Sequence, residues 1–139
     1  MIIMSVDLGD SRTGIAASDM SESFAFPKDV IHEKNKDVLL QKLCAKAKEL
    51  SAQLVVFGFP KNMDGSVGFK AQECAEMSNR FAEASGIETT LWDERCTTVS
   101  AHTALNFTDT RGKKRKAVVD AVAATIILED FLRSRSNNK

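Results

Sequence analysis

Long hydrophobic runs and any excess of one charge are both missing from this chain. Lys plus Arg number 19 and Asp plus Glu number 19, for a formal net charge of zero over 139 residues. Overall charge therefore carries no signal for nucleic acid or for a membrane surface. No apolar stretch approaches the roughly 20 residues of a membrane span, and no basic segment followed by a long apolar one opens the chain. A soluble, cytoplasmic protein that does not engage membranes is expected. Cysteines are few: Cys44, Cys74 and Cys96 are widely spaced and form no Cys-x-x-Cys pair. That argues against a disulfide framework and against a thiolate zinc site, and fits a reducing compartment. His32 and His102 are isolated and read as surface or packing residues. Internal repeats and low-complexity linkers are absent too. With 43% hydrophobic and 27% charged residues, the chain suits one compact domain over residues 1–139.

What is present begins at the N-terminus. Ile2, Ile3, Met4 and Val6 make a short apolar run that reads as a buried strand. It ends on Asp7, and Gly9 and Gly14 bracket a polar turn before Ile15, Ala16 and Ala17 resume an apolar course. A carboxylate at the end of a central strand is costly unless a cation, several N–H donors or a proton compensates it. The plainer reading is a turn cap made by Asp7 itself.

Further along, residues 23–26 read as a third short strand, which Pro27 confines to an edge or an end. Asn35 is a candidate N-cap for a helix whose Leu39, Leu43, Ala47 and Leu50 share a face. Residues 54–57 read as a buried strand stopped by Gly58. A loop over 58–68 leads into a helix in which Cys74, Met77, Phe81 and Ala84 share a face and Gly86 supplies the stop. Residues 87–92 form a fifth strand that runs into Asp93 and Glu94, with Trp92 as core. A helix capped by Thr97 or Thr98 is expected to reach Phe107, followed by a basic loop over 111–116. A final helix spans 116–133. Strands alternating with helices after an antiparallel meander predict an α/β fold with a mixed sheet.

Charge is unevenly distributed. From residue 107 onward eight Lys or Arg face four Asp or Glu, and five of those bases fall within 111–116. A run of this kind is most often solvated surface. The acids carry more. Asp7 ends the first strand, Asp93 and Glu94 end the last, and Asp120 is expected in the first turn of the final helix. Residues 120, 124, 127 and 131 are Asp, Ala, Ile and Phe, so Asp120 shares the helix's apolar stripe. An acid near a helix N-terminus is favoured by the dipole, but that does not explain its apolar phase. If the first and last strands are parallel, these acids meet beyond the carboxyl ends of the strands. Converging carboxylates repel unless a divalent cation neutralises them, and oxygen-only ligands suit Mg²⁺ or Mn²⁺. Such ions polarise phosphate oxygens and activate water, which implies a phosphodiester substrate.

Four motifs in order carry a resemblance: Asp7-Leu-Gly-Asp-Ser-Arg-Thr-Gly-Ile-Ala16, Gly58-Phe-Pro-Lys-Asn-Met-Asp-Gly-Ser66, Asp93-Glu-Arg-Cys-Thr-Thr98 and Asp120-Ala-Val-Ala-Ala124 followed by Ile127-Leu128. Over nearly its whole length the chain resembles the YqgF/RuvX family of the RNase H-like superfamily. The resemblance implies an RNase H-like fold, with a five-stranded mixed sheet whose first three strands are antiparallel, flanked by helices. It implies a metal-dependent nuclease acting on structured nucleic acid, in maturation of pre-16S rRNA or in cleavage of Holliday junctions. Carried over residue by residue, the acidic site falls on Asp7, Glu94 and Asp120, with Asp93 the alternative to Glu94. Cys96 stands where the family more often has Leu, a difference expected to alter packing only.

The basic and polar motif residues are assigned to the nucleic acid. Arg12 either contacts a phosphate or pairs with Asp10 or Asp19. Lys61 and Asn62, with Asp64 and Ser66, form either a substrate-facing loop or a plain turn. Arg95 either binds substrate or orients the carboxylates. Lys113, Lys114 and Lys116 belong to the basic run, and Lys116 precedes Asp120 by one helical turn. Expected partners are structured RNA such as pre-16S rRNA, or branched DNA, with ribosomal particles; the chain is either a monomer or a homodimer. Two rivals stand beside this reading. The first motif also resembles the phosphate loop of actin-like ATPases, which need two such domains and hence a longer chain. A nucleic-acid or ribosome-associated binding factor would keep the fold without the cleavage.

Overall fold

The structure, a computed structural model, describes residues 1–60, 67–93 and 112–137, with side chains of the last segment described over 122–135. The elements run β1 (Ile3–Asp7), β2 (Arg12–Ser18), β3 (Ala25–His32), α1 (Lys36–Glu49), β4 (Leu54–Phe59), α2 (Phe69–Ser85), β5 (Glu88–Asp93) and α3 (Gly112–Asn137). The strands make one sheet in the order β3-β2-β1-β4-β5. β1–β2 and β2–β3 pair antiparallel, whereas β1–β4 and β4–β5 pair parallel. The expected meander and mixed sheet are both observed, with β1 at the centre. The helix expected between Thr97 and Phe107 lies outside the described residues. No helix among the described residues is long and apolar enough to cross a membrane.

Period-two alternation divides the core between the two faces. Met4 and Val6 of β1, with Ile15, Val55 and Phe57, pack against Leu39, Leu43 and Ala47 of α1 and Cys74, Met77 and Phe81 of α2. The Phe57 and Phe81 rings meet edge to face at 5.7 Å. Ile3 of β1, with Ala16, Leu54 and Val56, packs on the other face against Ala124, Ile127, Leu128 and Leu132 of α3. There Trp92 meets Phe131 edge to face at 5.9 Å.

Local signals explain most boundaries. Asn35 caps α1 by accepting from the amides of Asp37 and Val38 at 2.9 and 3.1 Å. Gly86 ends α2 in the left-handed region, at φ 72°, where a side chain would be strained.

Three expectations are corrected. β3 runs through Pro27 to His32 instead of stopping at residue 26. It is an edge strand, and Pro27 pairs with Ala16 where the register shifts, so the missing N–H leaves no ladder bond broken. Ala84 is exposed, and the buried stripe of α2 includes Ala71 and Ser78 instead; Ser85 takes over the last turn by donating to the Phe81 carbonyl and accepting from the Ile87 amide. Finally, α3 begins at Gly112. Lys113, Lys114 and Lys116 are therefore helical, not in a loop, since Lys and Arg are good helix formers. Asp120 then lies two turns inside the helix, not in its first turn, and the dipole at the N-terminus no longer accounts for it.

Candidate nuclease site

Because β1, β4 and β5 are parallel, their carboxyl ends share one edge of the sheet. Asp7 ends β1 and Asp93 ends β5. Asp7 has the parity of Ile3, so its side chain emerges on the face covered by α3. It is half-buried.

Both neighbours of Asp7 within the sheet are glycines. Gly14 is its antiparallel partner on β2. On β4, Val6 pairs with Phe57, so the next step of the ladder sets Asp7 beside Gly58. Asp7 thus stands between two positions without side chains, on a face where every other central pair is filled. Neither neighbouring strand position therefore sets a side chain beside the carboxylate. A hydrated hard cation fits such a place.

The placement of α3 fixes where the backbone of position 120 lies. Ser5 Oγ donates to the Ala124 carbonyl at 2.7 Å, in the buried interior. Arg135 Nε donates to Glu22 at 2.8 Å, and Glu22 also meets the amino group of Met1. The C-terminal end of α3 therefore lies at the start of β1, and the two elements run antiparallel. From Ser5 to Asp7 is two strand residues, roughly 6.6 Å. From Ala124 back to position 120 is four helix residues, about 6 Å. Position 120 shares the stripe of Ala124, Ile127 and Leu128, all buried against the sheet. The backbone thus sets position 120 on the sheet-facing side of α3, level with Asp7.

Parity settles which way Asp93 faces. Leu54, Val56 and Gly58 pair with Glu88, Thr90 and Trp92, and Leu54, Val56 and Trp92 belong to the α3 face. Asp93 alternates with Trp92 and points to the opposite face from Asp7, so it does not join it. Glu94 lies outside the described residues, as do Lys61, Asn62 and Arg95. Among the described side chains no three His, Cys, Asp or Glu converge, and of the three expected acids only Asp7 has its side chain described.

Arg12 opens β2 two residues from Gly14, so by alternation it lies on Asp7's face, half-buried at the hairpin end. The turn between them is tightly constrained. A Cβ on Gly9 would fall 2.0 Å from the Arg12 carbonyl oxygen, so only glycine fits. Lys36 Nζ donates to the Gly9 carbonyl at 3.4 Å, and Lys70 Nζ pairs with Asp10 at 3.1 Å. The turn following Asp7 is thereby tied to the starts of α1 and α2. The Lys70 partnership holds the Asp10 carboxyl below its ordinary pKa.

On α3, positions 113 and 116 precede 120 by seven and four residues and share its stripe, whereas 114 does not. A groove of about 600 Å³ lies elsewhere, between Phe24 and Phe26 and the C-terminal half of α3 at Leu132 and Arg133. The sequence reading did not find Ser5 or the glycine flanks of Asp7. The signal for Ser5 was a lone hydroxyl inside Ile-Ile-Met-Ser-Val; the flanks needed the strand register.

The sequence model of the RuvX family, described as Holliday junction resolvase, matches residues 1–134. The chain belongs to the RuvX family. Similar curated relatives include the "Putative pre-16S rRNA nuclease" of Clostridium botulinum (strain Eklund 17B / Type B), 38% identical over 132 residues covering 95% of this chain and 96% of the relative. The protein of the same name from Caldanaerobacter subterraneus subsp. tengcongensis is 35% identical over 139 residues, covering 99% of this chain and 100% of the relative. Among solved structures, Thermus thermophilus RuvC in complex with a Holliday junction substrate superposes with TM-score 0.63 at 11% identity, over 99% of this chain and 96% of that one. The fowlpox virus Holliday junction resolvase gives TM-score 0.58 at 13% identity, over 96% and 99%. At these identities the likeness establishes the fold, which is RNase H-like. The RuvX-family chain thus carries that fold with Asp7 at the carboxyl end of its central strand and Asp120 on the helix that crosses it.

Proposed function

We propose that this RuvX-family chain is a divalent-metal-dependent nuclease that hydrolyses phosphodiester bonds of structured nucleic acid, with pre-16S rRNA as its substrate. The observation that carries the reading is the register of α3 on β1, which sets position 120 level with Asp7. The curated relatives named as pre-16S rRNA nucleases support the choice of RNA.

In this reading Asp7, Asp120 and Glu94 hold Mg²⁺ or Mn²⁺. Bound there, such an ion supplies Lewis acidity toward a phosphate oxygen and acidifies water for attack. The residues of the chain do the rest. Asp7 and Asp120 fix the cation between strand and helix. Glu94 orients the attacking water. Arg12, at the hairpin end, neutralises a non-bridging phosphate oxygen. Lys113 and Lys116 occupy the sheet-facing stripe of α3 beyond Asp120, where the sheet has ended and a nucleic-acid backbone would pass. Lys114, Lys61, Asn62 and Arg95 extend the same backbone contact. Ribosomal particles carrying the precursor are the cellular partners, in the cytoplasm.

A second reading, resolution of four-way DNA junctions, is favoured by the description of the matching family. It would require two copies of the site, and hence a homodimer. The test offers an extended 16S precursor, a generic single-stranded RNA and a four-way DNA junction to the protein with Mg²⁺ or Mn²⁺. Asp7→Asn is the control, expected to lose at least about a hundredfold in rate. Precursor cut by wild type and spared by the variant supports RNA processing. Paired symmetric nicks in the junction support resolution. Binding without metal-dependent cutting of any substrate sinks the nuclease and leaves a binding factor.

A further inference from the structure

Ser5 is the polar residue in the fully buried part of β1. Both it and Ala124, whose carbonyl accepts its hydroxyl at 2.7 Å, are sealed from solvent. Neighbouring side chains are small at this point: Ala16, the antiparallel partner of Ser5, is also fully buried on the same face. The helix backbone can therefore come close enough for the short serine side chain to reach it.

Among the described residues the other contacts of α3 with the sheet are largely apolar, from Ile3, Leu54 and Val56 to Ile127, Leu128 and Leu132, with the Trp92–Phe131 ring contact on the same face. Burial of that kind is non-directional. A helix displaced by a fraction of a turn would keep most of it. The hydrogen bond does not tolerate such displacement, because a buried hydroxyl left without a partner costs about 1–3 kcal/mol. A slide of α3 by one residue moves it about 1.5 Å and rotates the stripe by roughly 100°. That would carry position 120 away from Asp7. Misplacement on the order of 1 Å is already enough to cost a catalytic site much of its rate.

We propose that Ser5 is a positioning residue for the carboxylate pair: its hydrogen bond to Ala124 selects the one register of α3 on β1 in which position 120 stands level with Asp7. Ser5 lies two residues from one acid and Ala124 four residues from the other, so the bond ties the two backbones close to both. The inference rests on the reading of Asp7 and Asp120 as ligands of a divalent cation.

The experiment measures Mn²⁺ binding by titration calorimetry on the full chain, with cleavage kinetics at varied Mn²⁺ and thermal melting alongside. Ser5→Ala is expected to weaken Mn²⁺ binding about tenfold and to raise the half-saturating metal concentration equally, with KM for the nucleic acid within twofold of wild type. Ser5→Thr, which keeps the hydroxyl, restores both. Ile3→Val trims the same face of the same strand. It is expected to lower the melting temperature comparably while leaving Mn²⁺ affinity unchanged. Ser5→Ala with wild-type Mn²⁺ affinity, or Ser5→Thr no better than Ser5→Ala, overturns the proposal. Asp120→Asn separates the two levels. If it binds Mn²⁺ as wild type does, the ligand assignment itself falls, and the positioning role with it. If it loses Mn²⁺ while Ser5→Ala does not, only the positioning role falls.

Discussion

Asp7 and Gly14 stand directly opposite one another across the β1–β2 ladder, and Gly58 flanks Asp7 one step past the last β1–β4 pair. Glycine is a poor strand residue, costing roughly 0.5–1 kcal/mol relative to alanine in a strand interior. Its presence on both sides of one carboxylate is explained if that space is occupied in the working protein. Gly14→Ser is expected to reduce Mn²⁺ affinity about tenfold, with the gain in strand propensity offsetting part of any packing strain. Titration calorimetry paired with thermal melting checks this. Unchanged metal affinity in a folded Gly14→Ser protein would show that the space beside Asp7 is not used.

The turn that follows Asp7 admits a sharper prediction. Since a Cβ at Gly9 would lie 2.0 Å from the Arg12 carbonyl oxygen, even alanine forces the hairpin open. Gly9→Ala is expected to cost on the order of 2 kcal/mol or more in urea unfolding. It also moves Arg12, so nucleic-acid affinity is expected to fall and to depend less steeply on salt, by one phosphate contact. A Gly9→Ala protein as stable as wild type would contradict the close approach.

What could be read before the structure followed from local chemistry. Asn35 and Gly86 mark helix ends through their own side chain and backbone freedom, and both function as expected. The alternation in β1 and the stripe of Ala124, Ile127 and Phe131 identify faces without knowledge of partners. The mixed character of the sheet was legible through the switch from meander to strand–helix alternation. Other features depend on what lies across from a residue. Pro27 sits inside β3 because β2 shifts register beside it, which no local pattern in residues 23–32 encodes. The N-terminal limit of α3 was misplaced because a basic run was read as solvated loop, although lysine and arginine extend a helix readily. Gly14 was read as a turn residue, yet its position opposite Asp7 depends on strand pairing. That Asp93 faces away from Asp7 needed the β4–β5 register.

The Asp10–Lys70 pair gives the turn its connection to α2. The Asp10 carboxyl is held below its ordinary value chiefly by the hydrogen bond from Lys70, then by the charge of Lys70. A depressed carboxylate contributes stability that is present above the unfolded pKa and lost as pH falls through the folded one, here below about 4. Lys70→Met is expected to return the Asp10 titration toward the ordinary aspartate range, as followed by carboxyl NMR. The exposure of the pair predicts that added salt will shrink the difference between the two proteins. An Asp10 midpoint unmoved by Lys70→Met would mean that the pair does not hold the turn in solution.

Asp130 works in the opposite direction. It is half-buried near the C-terminal end of α3, and burial raises its pKa above the ordinary aspartate value despite the Arg133 guanidinium at 3.3 Å. The folded state therefore holds this proton more tightly than the unfolded chain does. Its contribution to stability is favourable when the group is protonated and is lost as pH rises from the unfolded pKa of about 4 through the raised folded value. At neutral pH the charge is a liability, because burial outweighs the attraction of Arg133. Asp130→Asn removes the charge while keeping the shape. It is expected to stabilise the protein at pH 7 in urea unfolding, with the advantage disappearing at about pH 4. Because Asp130 lies more than two turns from position 120 along α3, cleavage should be unchanged. A variant less stable than wild type at pH 7 would show that the Arg133 pair outweighs the cost of burial.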